Sequence, residues 1–383
     1  MWTWGWGPDG CPSVRYKASK MRRIHIYGTQ CKWFTIVTLA LVLLLVSACG
    51  PNNTTTQPAA TSTQVPVNGF GSAANHVHSL LAFPKHVLVL ATHYGIFRSE
   101  DSGATWKEVA AGPNQLMQGL MAYSLTASPL NPKRLYVLTL PAINPHPGTL
   151  GLYTSPDQGQ TWRLAITTAS LTSSSIFMAE AGNDMPDEVY IYLPDLGAQG
   201  LRVSRDDGQH FSSTGTLPFG RILGLLAIPG AAGQLLAYGS DGMARSTDGG
   251  AHWQVIKGIN GGIYDAATAG ANSPIYASGD AGIFSSLDGG KTFTLVDAEA
   301  SFTSLTVSPA QPQVIYGKTG LATYRSSNGG HTWSALPHIS GNLAVLAVDP
   351  SNASQVYLSL SYPTAVYQLG QNGTQWQSLT PRS

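Results

Sequence analysis

Charge is scarce in this 383-residue chain: charged residues make up 11%, against roughly a quarter in an average protein. No block of like charges occurs, which excludes a coiled coil and a highly charged disordered chain. The 21 basic residues balance 20 acidic ones, so nothing marks a nucleic-acid binder. Cysteine is nearly absent too. Cys11, Cys31 and Cys49 are the only three, and beyond Cys49 the fold can hold no internal disulfide and no C-x-x-C site. No nucleophile elbow occurs, nor any phosphate-cradling loop opening a helix. What is abundant is apolar material, at 43%, punctuated by 42 Gly and 24 Pro. That is ample for one large domain or two ordinary ones, cut by frequent turns.

The N-terminal segment reads as a secretory leader. Trp33 to Ala48 is an apolar run of 16 residues preceded by Arg22, Arg23 and Lys32. It is short for a span, which needs about 20, but right for a signal. Met21-Arg22-Arg23 reads as its start, since residues 1–20, with Trp2, Trp4 and Trp6, fit no signal pattern. The run ends Val46-Ser47-Ala48-Cys49-Gly50, which resembles a bacterial lipobox. The resemblance implies lipidation of Cys49, export, and anchorage of the mature chain to a membrane through that lipid. Residues 49–72 then read as a flexible Thr- and Pro-rich tether with little to bury, and 73–383 as the folded domain. The leader holds six of the basic residues and one acid, which leaves 15 basic and 19 acidic groups in the mature part. That mild acidity argues against nucleic-acid binding and against electrostatic docking on anionic lipid.

From about residue 73 onward one pattern repeats. Ser99-Glu100-Asp101-Ser102-Gly103-Ala104-Thr105-Trp106 returns around Asp157 and Trp162, Asp206 and Phe211, Asp248 and Trp253, Asp288 and Phe293, and Asn328 and Trp333. A worn seventh copy keeps Gly373 and Trp376. The terminal aromatics stand 40 to 56 residues apart, and all five tryptophans after the leader occupy this position. The chemistry is that of a turn: the Asp side chain accepts backbone N–H groups and Gly supplies a left-handed backbone. Asp101, Asp157, Asp206, Asp248, Asp288 and Asn328 are therefore expected to be structural. So are His210, His252 and His331, which lie inside copies. The aromatic opens the next strand and packs between sheets.

Each repeat holds four short strands. In the sixth these are expected at 304–308, 314–317, 321–326 and from Trp333. Four strands about every 40 residues predict an all-β, seven-bladed β-propeller of four-stranded antiparallel blades. What closes the ring is open, because no N-terminal strand offers itself to the last blade.

The pattern resembles the Asp-box, or BNR, repeat. Members of that superfamily include photosystem-assembly factors and sortilin-like receptors, which bind proteins or peptides, and sialidases and xyloglucanases, which hydrolyse glycans. The first resemblance implies a monomeric binding or assembly module taking a protein, peptide or glycan. The second implies a glycoside hydrolase, but the sialidase F-R-I-P motif is absent. Arg98, Arg205, Arg245 and Arg325 lie in or beside the repeated turns, and Arg221 is the rim arginine. Asp195, Asp241, Asp265, Asp280 and Asp297 fall near the opposite face, unpaired by sequence.

That opposite face carries the irregular loops, 139–150 and 193–200 among them, and irregular loops on a regular scaffold are where binding sits. It also carries histidines. A two-residue turn after Phe83 would set His76 opposite His93, with His78 on the same side. A three-residue turn would send His93 to the other side. Three neutral imidazoles on adjacent strands suit zinc or copper, with His146 on the neighbouring loop as a fourth donor.

Overall fold

The computed structural model describes residues 72, 74–143, 146–171 and 176–380, with the backbone of two N-terminal strands. Those two, Thr3–Trp6 and Pro12–Arg15, pair antiparallel as a hairpin. Residues 33–72, apart from Ser72, lie outside the described residues. The leader run, Cys49 and the tether are therefore not described. No described helix is long and apolar enough to cross a membrane.

The remaining strands form seven four-stranded antiparallel sheets, each of four strands consecutive in sequence. The propeller expected from the repeats is present. Blade one runs Val77–Phe83, Val87–Thr92, Gly95–Ser99 and Lys107–Glu108, and blade seven runs Leu343–Asp349, Asn352–Leu360, Ala365–Leu369 and Trp376–Ser378. Blade six has strands at Ser304–Val307, Ile315–Lys318, Thr323–Ser326 and Ser334–Ala335, each close to its expected bounds. Helix among the described residues is confined to two 3₁₀ segments, Thr168–Leu171 and Pro194–Gln199. The first strand of each blade packs against the first strand of the next, and that of blade seven against that of blade one. These innermost strands close the ring.

Second strands are sandwiched on both faces. They read as unbroken apolar runs, such as Val87–Thr92 and Ile275–Gly279, buried throughout. Five blades place a fully buried tyrosine there: Tyr136, Tyr190, Tyr276, Tyr316 and Tyr357. The core is correspondingly divided into clusters that sit between neighbouring blades.

Each repeat aromatic packs into the interface with the blade before it. Trp162 joins the cluster of blades one and two, Phe211 that of two and three, and Trp253 that of three and four. Phe293, Trp333 and Trp376 continue the series. Trp106 completes it by packing between blades one and seven. Its indole N–H donates to the Leu379 carbonyl at 3.1 Å, whereas Trp162, Trp253 and Trp333 donate to a glycine carbonyl of their own turns. Closure is thus by packing between the first and last blades, and among the described residues no strand is exchanged between them.

The repeated turns are closed hydrogen-bond cages. In blade four the Ser246 hydroxyl donates to Asp248 Oδ1 at 2.8 Å and accepts the Gly250 N–H at 2.9 Å. Asp248 Oδ1 also accepts the His252 N–H at 2.9 Å, and its Oδ2 meets His252 Nδ1 at 2.7 Å. Asp101, Asp157, Asp206 and Asp288 make the same bonds with their own neighbours, and Asn328 accepts the Thr332 N–H in the same way. Gly249 and Gly250, at φ 68° and 88°, give the two successive left-handed residues the cage needs. His210 and His252 stand where other copies have threonine; His331 stands one position earlier.

Candidate functional site

The end opposite the repeated turns holds the turns between second and third strands and the connections between blades. Blade one brings its histidines to that rim by a route different from the simple hairpin expected from sequence. Its first turn has three residues, Pro84, Lys85 and His86, since Phe83 pairs with Val87. Lys85 and His86 are both left-handed, at φ 64° and 70°. Alone, this would put His93 on the wrong side. The pairing then slips once more: Ser79 faces Ala91 but Val77 faces Thr92. His78 is the extra residue of a β-bulge. The bulge restores the register, and the His93 N–H donates to the His76 carbonyl at 2.8 Å.

The turn carrying His93 is fixed by two neighbours. Asn75, fully buried, accepts the Tyr94 N–H at 3.2 Å. Gly95 has φ 124°, and a Cβ there would meet the Ala111 Cβ at 2.9 Å. No other residue fits that position without movement.

The three imidazoles converge. Their nitrogens lie within 4.8 Å of one another. Ring centroids of His76 stand 4.4 Å from His78 and 4.6 Å from His93. Tyr362, in the turn between the second and third strands of blade seven, hydrogen-bonds His76 Nδ1 at 2.7 Å. His78 Nε2 and His93 Nδ1 are buried and have no hydrogen-bond partner among the described residues. Burial, then the neighbouring His93, pulls His76 down to about 4. Burial, then His76 and His93, pulls His78 down to about 3. Burial also lowers His93, against a backbone hydrogen bond at Ala142 of blade two that raises it. All three are neutral imidazoles at physiological pH. His146 does not join them: it stands outside the cluster, with Nδ1 bonded to the Gly148 carbonyl at 2.7 Å.

The same end also exposes apolar side chains. Among the described residues, twelve large hydrophobic side chains are exposed. Eight of them lie at this end, from Leu116 before blade two, through Leu140, Ile143, Leu196, Leu223, Tyr264 and Leu321, to Tyr362 in blade seven. Its charges are mostly engaged. Arg221 stacks on Phe177, 5.7 Å from the ring centroid. Asp280 accepts the Gly262 N–H at 2.7 Å and the Tyr264 hydroxyl. Asp297 accepts the Glu299 N–H at 2.8 Å, and Asp241 the Ser240 hydroxyl at 3.4 Å. The arginines beside the repeated turns brace neighbours: Arg98 donates to the Gln158 carbonyl and Arg245 to that of Gly289. Arg205 pairs with Glu188 and Arg325 donates to the Tyr316 hydroxyl.

A second group, which sequence reasoning missed apart from Asp265, lies among the innermost strands. Asp265 accepts the Tyr238 hydroxyl at 3.0 Å and the Leu305 N–H at 2.8 Å, and burial raises its pKa. Glu180 accepts the Thr126 hydroxyl, and burial pushes it up to about 8. Burial also lowers Lys318, against the opposing pull of Asp265. The isolated acids in the innermost strands of blades three and five were the only sequence signal. Tyr362 left none, because it meets His76 across 286 residues.

No family model matches the chain, and no curated protein matches it in sequence. Solved structures do. A GH74 xyloglucanase from Xanthomonas campestris matches at TM-score 0.62 and 16% identity, over 82% of this chain and 55% of that one. The chain thus spans about half the length of that enzyme. A YCF48 protein bound to a D1 peptide matches at TM-score 0.55 and 13% identity, over 78% of this chain and 94% of that one. YCF48 from Cyanidioschyzon merolae matches at 0.56 and 14%, over 77% and 95%. At such identities the likeness is one of fold: the chain is a seven-bladed propeller of four-stranded antiparallel blades.

Proposed function

We propose that this chain is an exported, lipid-anchored Asp-box propeller that binds a protein or peptide partner on the end opposite its repeated turns. The observation that carries the reading is the distribution of exposed apolar side chains, eight of twelve at that one end. Exposed apolar side chains gathered at one end of a fold mark an interaction site. Its chemistry favours protein over glycan. The exposed groups are mostly Leu and Ile, and the propeller's own five tryptophans, which could stack on sugar rings, pack between blades. Hydrolysis has less support. It needs two carboxyl groups flanking a bond, and Asp265 and Asp280 each serve as hydrogen-bond acceptors within the fold. A propeller similar in fold, YCF48, is itself peptide-bound. Anchorage rests on the lipobox-like Val46–Gly50 and puts the binding end outside the cytoplasm.

The test is capture from a membrane-derived extract on immobilised full chain. A Leu196→Arg, Leu321→Arg variant should lose a partner that the wild type retains. Leu287→Arg, at a residue 84% exposed in a repeated turn, should retain it. Equal retention by all three would overturn the reading. Incorporation of an alkyne-bearing fatty acid, lost in Cys49→Ser, tests the anchor separately.

A further inference from the structure

We infer that His76, His78 and His93 form a three-imidazole site for a divalent cation of the zinc or copper class. The inference is independent of the binding role and would stand if no protein partner existed.

Three observations converge on it. The first is convergence itself: three imidazoles from both sides of one hairpin place nitrogens within 4.8 Å of one another. A β-bulge at His78 is what brings them together, because the three-residue turn alone would separate them. Bulges that re-aim a side chain gather at functional sites. The second is the unmet hydrogen bonding. His78 Nε2 and His93 Nδ1 are buried without a partner, a condition native structures rarely leave unexplained. A cation satisfies both lone pairs at once. The third is the orientation of His76. Tyr362 holds its Nδ1 at 2.7 Å, which leaves Nε2 as the donor. An outer partner on the non-ligating nitrogen is the usual mark of a metal-binding histidine.

The donors are therefore His76 Nε2, His78 Nε2 and His93 Nδ1. Around zinc at about 2.0–2.1 Å, tetrahedral nitrogens stand about 3.4 Å apart. One nitrogen of each ring already lies within 4.8 Å of the others, so binding a cation draws the rings closer. Among the described residues no thiolate and no carboxylate belongs to the cluster. Neutral imidazoles alone favour zinc and copper over magnesium or calcium. Three protein ligands also leave a coordination position for water or for a donor from another molecule. Tyr362 acts as a positioning residue.

The experiment uses the untagged full chain in detergent, with cobalt(II), zinc(II) and copper(II) as probes. One cation should bind per chain and survive dialysis, and cobalt should give the absorption of a nitrogen-rich tetrahedral or five-coordinate site. The His76→Ala, His93→Ala variant should bind at least 100-fold more weakly. Tyr362→Phe should weaken binding about tenfold and leave the form of the cobalt spectrum unchanged. His210→Ala, His252→Ala removes two exposed histidines of the repeated turns and should bind as the wild type does. Zinc should raise the melting temperature of the wild type and not of the His76/His93 variant, whose far-UV circular dichroism shows whether it is folded. If that variant does not fold, His93→Gln takes its place. Absence of a bound cation overturns the proposal. So does a cation held equally by the folded variant, which would assign it to Cys11, Cys31 or Cys49. A third contrary result is loss in the His210/His252 control.

Discussion

One end of this propeller is closed and the other is open. At the turn end a serine hydroxyl, an aspartate and two left-handed residues satisfy one another, as around Asp248. The same cage recurs at Asp101, Asp157, Asp206 and Asp288. At the opposite end lie most of the exposed Leu and Ile side chains, and two buried imidazole nitrogens without a partner. Repetition has been spent on stability at one end, and irregularity is left over for recognition at the other. Internal symmetry is thus a guide to what is structural, and departures from it mark where to look for function.

The contrast can be broken by mutation. The largest effect should come from an interface aromatic. Trp333→Ala opens the packing between blades five and six and should lose about 3–5 kcal/mol in chemical denaturation. A smaller loss would mean that the blades lean on each other less than their cores imply. Next comes the cage. Ser246→Ala strips the Gly250 N–H of its acceptor and Asp248 of a donor, and should lose about 1–3 kcal/mol.

The innermost strands should show themselves through pH. Between about pH 4.5, where the unfolded carboxyl releases its proton, and about 8, where Glu180 titrates in the fold, only the folded chain holds that proton. Stability from this group should therefore fall as pH rises through that range, and above about 6.5 no histidine term opposes the fall. The histidines act lower and in the opposite sense. Unfolded imidazoles gain protons below about 6.5, but folded His76 does so only near 4, so stability falls as pH drops through that window. Glu180→Gln should flatten the alkaline limb of a melting-temperature profile and steepen the acidic limb between about pH 4.5 and 6.5, where Glu180 opposes the histidines. An unchanged alkaline limb would mean that Glu180 is ionised in the fold. The smallest effect belongs to the open end: Leu321→Ser, at a residue 66% exposed, should change stability by no more than about 0.5 kcal/mol.

Much of the fold was legible because one side chain, the turn aromatic, recurs where each blade meets the one before it. The strands of blade six could be read to within a residue or two from Gly and Pro alone. The candidate site was legible in part. His76, His78 and His93 were visible as residues. Their convergence was not, since it depends on two opposing register changes, a longer turn and a bulge, that cancel. Closure was hidden for a related reason: Trp106 looks like every other copy in sequence, yet its indole turns to Leu379 at the far end of the chain. Local pattern reports what repeats locally, and contacts across the ring leave no local trace.

The most direct test of the contrast between the two ends is site-specific photo-crosslinking in the membrane that carries the protein. A photoreactive phenylalanine analogue would replace Leu196 or Leu321 at the open end, and Leu287 or Leu130 at the turn end. A discrete higher-mass protein adduct is expected from the first pair and none from the second. Adducts from the turn end alone, or equal yields from both, would contradict it.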